Sequence, residues 1–186
     1  MAELPKMARS HMSAILFTPR DLRAQAVRFL VDAYAGISVR PGKGLPHAQA
    51  VAEILRAAGS DERTQLVGLL HDVVEDTPRA VDDVREDFGA TIATMVGSLT
   101  EDATIRRYAQ RKRALRSAIA AAGSPVTDVA LADKIATLRH ARLTGLPVSD
   151  RKLRHYRSTL QLALAAGLAT VLCGQLEDLL ADFAPG

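Results

Sequence analysis

Apolar residues recur at intervals of three and four along most of the chain, which is the period of a helix that packs one face against a core. Thr18 and Pro19 provide an N-cap and a first helical residue, while Gly59 and Gly145 follow apolar segments as expected helix ends. No segment alternates apolar and polar residues over the length of a strand. The predicted helices cover residues 18–36, 47–59, 60–73, 77–89, 90–99, 103–122, 127–145 and 149–176. The pattern therefore predicts one all-α domain of about eight helices over residues 18–186, preceded by an N-terminal extension at 1–17.

One segment near the C-terminus, residues 158–176, carries no charge. Its length approaches that of a membrane-spanning helix. Gln161 and Gln175 interrupt it, and glycines and alanines dilute its hydrophobicity. A buried helix, or two helices divided near Gly167 or Gly174, is therefore favoured over a membrane span.

The length and composition indicate a protein with a single hydrophobic core. The cysteine content indicates a reducing compartment. The chain has 186 residues, of which 48% are apolar. Cys173 is the single cysteine. An intramolecular disulfide is therefore excluded, and because no export signal is recognised, the cytoplasm is the expected location. A net charge of +3 permits an anionic partner without indicating one.

The segment LLHDVVEDTP concentrates ionisable groups at the end of an apolar helix. His71 and Glu75 are four residues apart. The same spacing separates Asp72 from Asp76, so on a helix each pair points to one side. Taken alone, the segment has a simpler interpretation, in which Asp76 and Thr77 cap the next helix and His71 is a satisfied core histidine.

Two distant residues favour a metal site. His47 opens the preceding predicted helix, 24 residues before His71, where an imidazole can face the end of an antiparallel neighbour. Asp133 lies in the apolar context LADKIATLR, where a carboxylate near the core must be paired or bound to a metal. With Asp72 they make a set of two imidazoles and two carboxylates. Such a set suits a divalent ion with open coordination positions, and we expect Mn²⁺, with Fe²⁺, Zn²⁺ or Co²⁺ as alternatives.

The order His, His-Asp and distant Asp resembles that of HD-domain metal-dependent phosphohydrolases. Over about residues 25–160, the motifs HAQAVAEIL, LVGLLHDVVEDT, QRKRAL and VALADKIATLR are more closely similar to the hydrolase domain of RelA/SpoT homologues, whose small stand-alone members are alarmone hydrolases. The resemblance implies an HD-domain helical fold and hydrolysis of the 3′-pyrophosphate of ppGpp or pppGpp, with GDP or GTP and pyrophosphate as products. Because no synthetase segment follows these motifs, it also implies a stand-alone hydrolase of the stringent response.

The resemblance implies roles for residues at matching positions. The four residues proposed as metal ligands match the ligands of the family. Glu75 and Asp76 match an acidic pair that handles the attacking water, although a solvated charge at a helix end is the alternative for Glu75. His140 and His155 match no pattern, and we expect them at the surface or behind the site residues. The residues expected to contact the substrate are Arg40, Lys43, Arg111, Lys112, Thr137, Lys152 and Tyr156.

Two departures from the family pattern fall where the nucleoside is held. The chain reads GKGLPHA around the first histidine, where the family usually has Pro-Tyr before it and a proline just after it. Thr137 stands where the family has an asparagine. The base is therefore left open, and an HD hydrolase of another nucleotide, such as ppApp, is the nearest alternative.

The arginine-rich segment IRRYAQRKRALR raises further alternatives. Like charges four residues apart, as at Arg107 and Arg111, repel on a bare helix, and bound phosphate would relieve this repulsion. A solvated helix face is the other explanation. Nucleic-acid binding is disfavoured because few aromatic residues interleave and Glu101 precedes the segment. A catalytically inactive nucleotide sensor is disfavoured because it would need neither the ligands nor the acidic pair, and a homo-oligomer remains open.

Overall fold

The computed structural model describes residues 19–183, which form ten α-helices and, within that range, no strand. The predicted extension at 1–17 and the predicted Thr18 cap lie outside the described residues. The all-α prediction is confirmed. The helices are α1 (Pro19–Ala33), α2 (Leu45–Ala57), α3 (Glu62–Leu70), α4 (Val73–Asp76), α5 (Val81–Phe88), α6 (Ala90–Leu99), α7 (Tyr108–Ala122), α8 (Ser124–Thr144), α9 (Asp150–Ala165) and α10 (Val171–Asp182).

Helix α8 forms the centre of the domain. It contacts α2, α3, α6, α7, α9 and α10. Val129, Leu131 and Ile135 are fully buried on it, although they do not share one face. Burial around most of its circumference explains why its sequence shows no clear polar side. Polar side chains in the middle of α8, such as Asp133 and Lys134, therefore lie in or beside the core, where they need partners.

Local signals set several helix ends. Asp61 caps α3 by accepting a hydrogen bond from Thr64 N at 2.8 Å. Pro125 lies in the first turn of α8, so that helix begins before the predicted residue 127. Gly145, with φ of 69°, ends it in the left-handed conformation.

The predicted third helix is wrong at its end. Helix α3 stops at Leu70, and Asp72, with φ of −97° and ψ of −6°, separates it from the short helix α4. His71 and Glu75 therefore do not lie on one continuous helix. They still face one cleft, because α4 restarts after a single irregular turn.

The predicted start of the following helix is also wrong. Thr77 turns back, and its hydroxyl donates to Val73 O at 2.6 Å. Helix α5 begins at Val81, where the Asp83 carboxylate accepts from Ala80 N at 2.6 Å. Neither Asp76 nor Thr77 caps it, so the capping role in the simpler interpretation of this segment is not supported.

The uncharged segment divides into two helices, as one of the sequence alternatives predicts. Gly167, with φ of 75°, separates α9 from α10, and α10 packs against α8 and α9. Cys173 is buried, and its thiol donates to Leu168 O at 2.8 Å. Within residues 19–183, no helix combines the length and hydrophobicity needed to cross a membrane.

Candidate metal centre and its cleft

A cleft of about 420 Å³ opens among α4, α7, α8, α9 and the loop before α2. A larger cavity of about 870 Å³ lies elsewhere, but no histidine lines it. His47 is buried at the base of the cleft, in contact with Asp133. The other predicted site residues all line the cleft: Arg40, Lys43, His71, Asp72, Glu75, Asp76, Arg111, Lys112, Asp133, Thr137, Lys152 and Tyr156.

The predicted metal ligands converge from three elements. His47, His71 and Asp133 each offer one ligand atom, and these atoms lie within 4.8 Å of one another. His47 Nε2 is 3.0 Å from Asp133 Oδ1, and His71 Nε2 is 3.3 Å from Asp72 Oδ1. Ligand atoms about 2.1 Å from an ion are roughly 3.0–3.4 Å apart when their bonds meet near 90–110°. His71 Nε2 and Asp133 Oδ1 are farther apart, at 3.8 Å. His47, His71 and Asp133 therefore form the group that could hold a divalent ion, and Asp72, the fourth predicted ligand, borders this group.

The orientation of His71 supports this fit. Its Nδ1 lies 2.8 Å from Gly68 O and donates to that carbonyl, which leaves Nε2 as the lone-pair atom. Nε2 is buried without a hydrogen-bond partner among the described residues. A Cβ on Gly68 would lie 2.5 Å from Leu55 Cδ1, so glycine lets α3 approach α2 and brings His71 towards His47. A buried nitrogen fixed in this way is arranged as a metal ligand.

The charges of the cluster attract a cation. Burial alone would raise the pKa of Asp72, but His71 and Lys43 hold that pKa below its ordinary value. Burial would also raise the pKa of Asp133, but Lys134 and both histidines lower it. Burial would lower the pKa of His71, but the two carboxylates raise it. Since metal ions compete with protons for these atoms, the ligand set is suited to exchange protons for an ion.

Each carboxylate of the cluster also contacts a lysine. Lys43 pairs with Asp72 Oδ2 and lies 3.8 Å from Asp76 Oδ2, while Lys134 Nζ is 3.0 Å from Asp133 Oδ2. One oxygen of each ligand carboxylate thus faces a histidine and the other faces an ammonium group. The sequence analysis missed Lys134, for which the only signal was its position next to Asp133.

The acidic pair lies at the mouth of the cleft. Glu75 is exposed, and its Oε1 accepts from Glu101 N at 2.6 Å. Protein around its carboxylate still lowers its hydration, and this effect, with the charges of Asp72 and Glu101, raises its pKa. Asp76 is half-buried, and partial burial together with Asp72 raises its pKa as well. Both groups are better proton acceptors than ordinary surface carboxylates.

Glu101 is the most consequential residue that the sequence analysis did not place in the site. It accepts hydrogen bonds from Arg111 Nε and Lys112 Nζ, which lower its pKa against the effect of burial. The expected repulsion around Arg111 is thus relieved by a carboxylate of the protein. Arg111 Nη1 also donates to Ile105 O at 2.9 Å, which folds the preceding loop back and explains why α7 begins at Tyr108 rather than at the predicted residue 103.

The opposite wall of the cleft carries the predicted ribose and base contacts. Tyr156 is buried, with Lys134 Nζ and Lys152 Nζ at 5.6 and 5.7 Å from its ring centre. Burial raises the pKa of Tyr156, and Asp133 adds to this, so its hydroxyl stays protonated. Burial and nearby lysines lower the pKa of Lys152. Thr137 lies one turn after Asp133 on α8, and Arg40 is exposed at the rim.

The other two histidines among residues 19–183 are closer to the site than a surface position would allow. His155 is buried and lines the cleft, and Arg116 Nη1 donates to its Nδ1 at 2.9 Å. Burial and the nearby charges of Lys134 and Lys112 lower the pKa of His155 to about 2, so the ring is neutral. His140 is half-buried and packs against Gly42, where an added Cβ would meet its Cδ2 at 2.6 Å. It therefore supports the loop that carries Lys43.

Comparison with known families agrees with this geometry. The HD domain family matches residues 26–162 of the sequence. The chain belongs to the HD domain family. This confirms the resemblance that the histidine and aspartate motifs suggest, and it accounts for a metal-binding cluster at the junction of α2, α3 and α8.

Named relatives extend the comparison. The GTP pyrophosphokinase of Streptomyces coelicolor is 33% identical over 142 residues, which are 73% of this chain and 16% of that protein. The human guanosine-3′,5′-bis(diphosphate) 3′-pyrophosphohydrolase MESH1 is 37% identical over 114 residues, or 59% of this chain and 63% of that protein. The chain thus spans less than two thirds of the length of either relative.

A solved structure shares the fold. The structure described as a metazoan ortholog of SpoT that hydrolyzes ppGpp superposes with a TM-score of 0.71 at 22% identity, covering 95% of this chain and 99% of that one. At this identity the match establishes the HD fold, and the activity has to be argued from the site.

Proposed function

We propose that this protein hydrolyses the 3′-pyrophosphate of a guanosine nucleotide, ppGpp or pppGpp, and releases pyrophosphate with GDP or GTP. The single observation that carries the proposal is the buried, unpartnered Nε2 of His71 among His47, Asp72 and Asp133, at the base of a cleft lined by basic side chains. The names of relatives such as MESH1 from human and fly support this choice of substrate. The cytoplasm is the inferred compartment, because Cys173 has no disulfide partner in the chain.

The ligand set would hold the ion, which we propose to be Mn²⁺. When bound, a divalent ion lowers the pKa of a coordinated water and polarises a phosphoryl oxygen. Lys43 and Lys134 neutralise the outer oxygens of the ligand carboxylates, so the site does not carry excess negative charge towards an anionic substrate.

Glu75 and Asp76 would handle the proton of the attacking water. Water attacks the phosphorus that is linked to the ribose 3′ oxygen, the bond between that phosphorus and the 3′ oxygen breaks, and pyrophosphate leaves. The raised pKa of Glu75 suits it to take the proton of the water and to return it to the 3′ oxygen. Asp76 would orient the water from the opposite side.

The basic side chains would hold the nucleotide. Lys152 and Arg40 both line the cleft and would bind the phosphates, and the Tyr156 hydroxyl is suited to donate to the ribose. Thr137 and the loop from 40 to 46 would frame the base. Because Thr137 is shorter than asparagine and offers one hydroxyl instead of an amide, adenine is the second candidate base.

A substrate panel tests the proposal. Protein loaded with Mn²⁺ would be incubated with ppGpp, ppApp, GTP, a cyclic nucleotide and a 5′-monophosphate, and the products separated by ion exchange. We expect cleavage of ppGpp or ppApp to intact pyrophosphate and little reaction with the others. Efficient cleavage of 5′-monophosphates, with ppGpp untouched, would assign the protein to a different group of HD hydrolases.

A further inference from the structure

A second cavity, of about 440 Å³, lies between α7 and α9 beside the catalytic cleft. Tyr108, Lys112, Arg151 and His155 line both spaces, so the two adjoin each other. We call the second one the arginine pocket. It is defined by four guanidinium groups, those of Arg113, Arg116, Arg151 and Arg154.

Carboxylates of the described residues do not neutralise the charge of the arginine pocket. Among residues 19–183, no aspartate or glutamate lines it, whereas the catalytic cleft contains five carboxylates. The ion pairs of the described residues leave these four arginines out, and nearby arginines such as Arg111 pair with Glu101 instead. Burial lowers the pKa of Arg116, and repulsion from the neighbouring Arg113 adds to this effect. An anion in the pocket would relieve this repulsion.

Two of these arginines are already held in place. Arg116 Nη1 donates to His155 Nδ1 at 2.9 Å, and the Arg151 guanidinium lies 4.2 Å from the centre of the Tyr108 ring. Because His155 accepts at Nδ1, its neutral ring has Nε2 as a donor. The pocket thus presents donors in fixed positions and does not rely on flexible surface charges alone, which reduces the entropy cost of binding.

We propose that the arginine pocket binds the 5′-phosphate chain of the nucleotide whose 3′-pyrophosphate is cleaved in the adjoining cleft. This inference rests on the proposed function. A guanidinium group binds two phosphate oxygens at once, and four of them suit a chain of two or three phosphates better than a single phosphate. Because the two spaces share four lining residues, a nucleotide bound in the cleft would extend its 5′ phosphates into the pocket. The pocket would therefore select nucleotides with phosphates at both ends.

Arg113 and Arg154 provide the cleanest test. Both are exposed and line the arginine pocket but not the catalytic cleft, so their replacement leaves the metal ligands and the acidic pair in place. The double variant Arg113→Ala/Arg154→Ala would be compared with Arg28→Ala, which removes an exposed arginine from α1, a helix that lines neither space. The substrates would be pppGpp, ppGpp and a guanosine 3′-diphosphate without 5′ phosphates.

For the double variant we expect kcat/KM to fall by roughly tenfold or more with pppGpp and ppGpp, and by less than about twofold with the nucleotide that lacks 5′ phosphates. Arg28→Ala should leave all three values unchanged. An equal loss with all three substrates, or no loss with any, would overturn the inference.

A binding measurement separates the inference from the proposed function. Inorganic tripolyphosphate titrated into metal-free protein should bind the wild type several-fold more tightly than the double variant, and equal affinities would overturn the inference. Wild-type protein that binds tripolyphosphate through the pocket but does not cleave ppGpp would contradict the proposed function alone. Cleavage of ppGpp with no role for 5′ phosphates would contradict the inference alone.

Discussion

The two ring nitrogens of His71 have different roles, because one bonds to the backbone and the other faces the ligand cluster. Nδ1 donates to Gly68 O, and Nε2 points at Asp72 and Asp133. The residue types and their order along the chain were enough to propose four ligands, of which the structure groups His47, His71 and Asp133. The tautomer was not predictable, because it depends on a carbonyl that the end of α3 brings to the ring. The same holds for Glu101, whose role follows from a loop that folds back towards Glu75.

Replacement of Glu75 by glutamine should separate chemistry from binding. The amide keeps the size of the side chain and can still contact Glu101 N, but it cannot accept a proton. We expect turnover of ppGpp to fall by roughly two to four orders of magnitude, with bound Mn²⁺ unchanged. Steady-state kinetics and metal analysis of the same preparation would measure both quantities.

Glu86→Gln is the matched control, since Glu86 is an exposed glutamate on α5 that does not line the cleft. It should retain wild-type turnover. If Glu75→Gln also retained full turnover and changed only the stability of the protein, Glu75 would be a solvated charge at a helix end.

At the scale of elements, periodicity predicted the helices but not their junctions. The apolar pattern of residues 66–73 continues without a break, yet α3 ends at Leu70 because the backbone turns at Asp72 to direct both ligand side chains inwards. Thr77-Pro78 has the composition of a helix start, but the Thr77 hydroxyl bonds back to Val73 O. Helix ends that are set by such tertiary contacts cannot be predicted from the spacing of apolar residues.

The loop before α2 depends on Gly42, which the sequence motifs indicated only as part of the segment GKGLPHA. Gly42 has φ of 75° and approaches His140. Gly42→Ala should destabilise the protein by about 2–3 kcal/mol, because it adds both backbone strain and a clash with the imidazole. It should also raise KM for ppGpp, because the distorted loop would displace Lys43, an expected substrate contact, from its position beside Asp72. Urea unfolding and steady-state kinetics would measure the two effects.

Gly36→Ala is the control for strain alone. Gly36 has φ of 74°, but an added Cβ there would meet nothing within 4 Å. It should cost about 1 kcal/mol and leave KM unchanged. Equal effects of the two substitutions would show that contact with His140 does not position the loop.

At the scale of the whole molecule, the metal site joins helices that are distant in sequence. His47 lies on α2, His71 and Asp72 at the end of α3, and Asp133 on the central helix α8. The set of four ligands stays a prediction, of which the structure brings the ligand atoms of His47, His71 and Asp133 within 4.8 Å of one another. The all-α fold class was predictable, because the burial pattern survives in the sequence. The arginine pocket was not, since it requires α7 and α9 to pack side by side beside the cleft.

An ion that bridges these helices should raise the melting temperature. At a concentration about 100 times its dissociation constant, a ligand of the folded state adds about 2.7 kcal/mol to the free energy of unfolding. For a chain of this size, that corresponds to roughly 5–10 °C. Calorimetry with Mn²⁺ and then with excess EDTA would measure the shift, and Asp133→Ala should show none. An identical melting curve with and without Mn²⁺ in the wild type would count against the site.

The proposed hydrolysis is tested most directly by the products of ppGpp cleavage in water enriched in ¹⁸O. Mn²⁺-loaded protein would be compared with EDTA-treated protein as the control. We expect GDP without label and intact pyrophosphate that carries one ¹⁸O atom, because water attacks phosphorus and the 3′ oxygen stays with the ribose. Mass spectrometry of the separated products would show this. Release of orthophosphate, label in the GDP, or equal reaction in EDTA would contradict it.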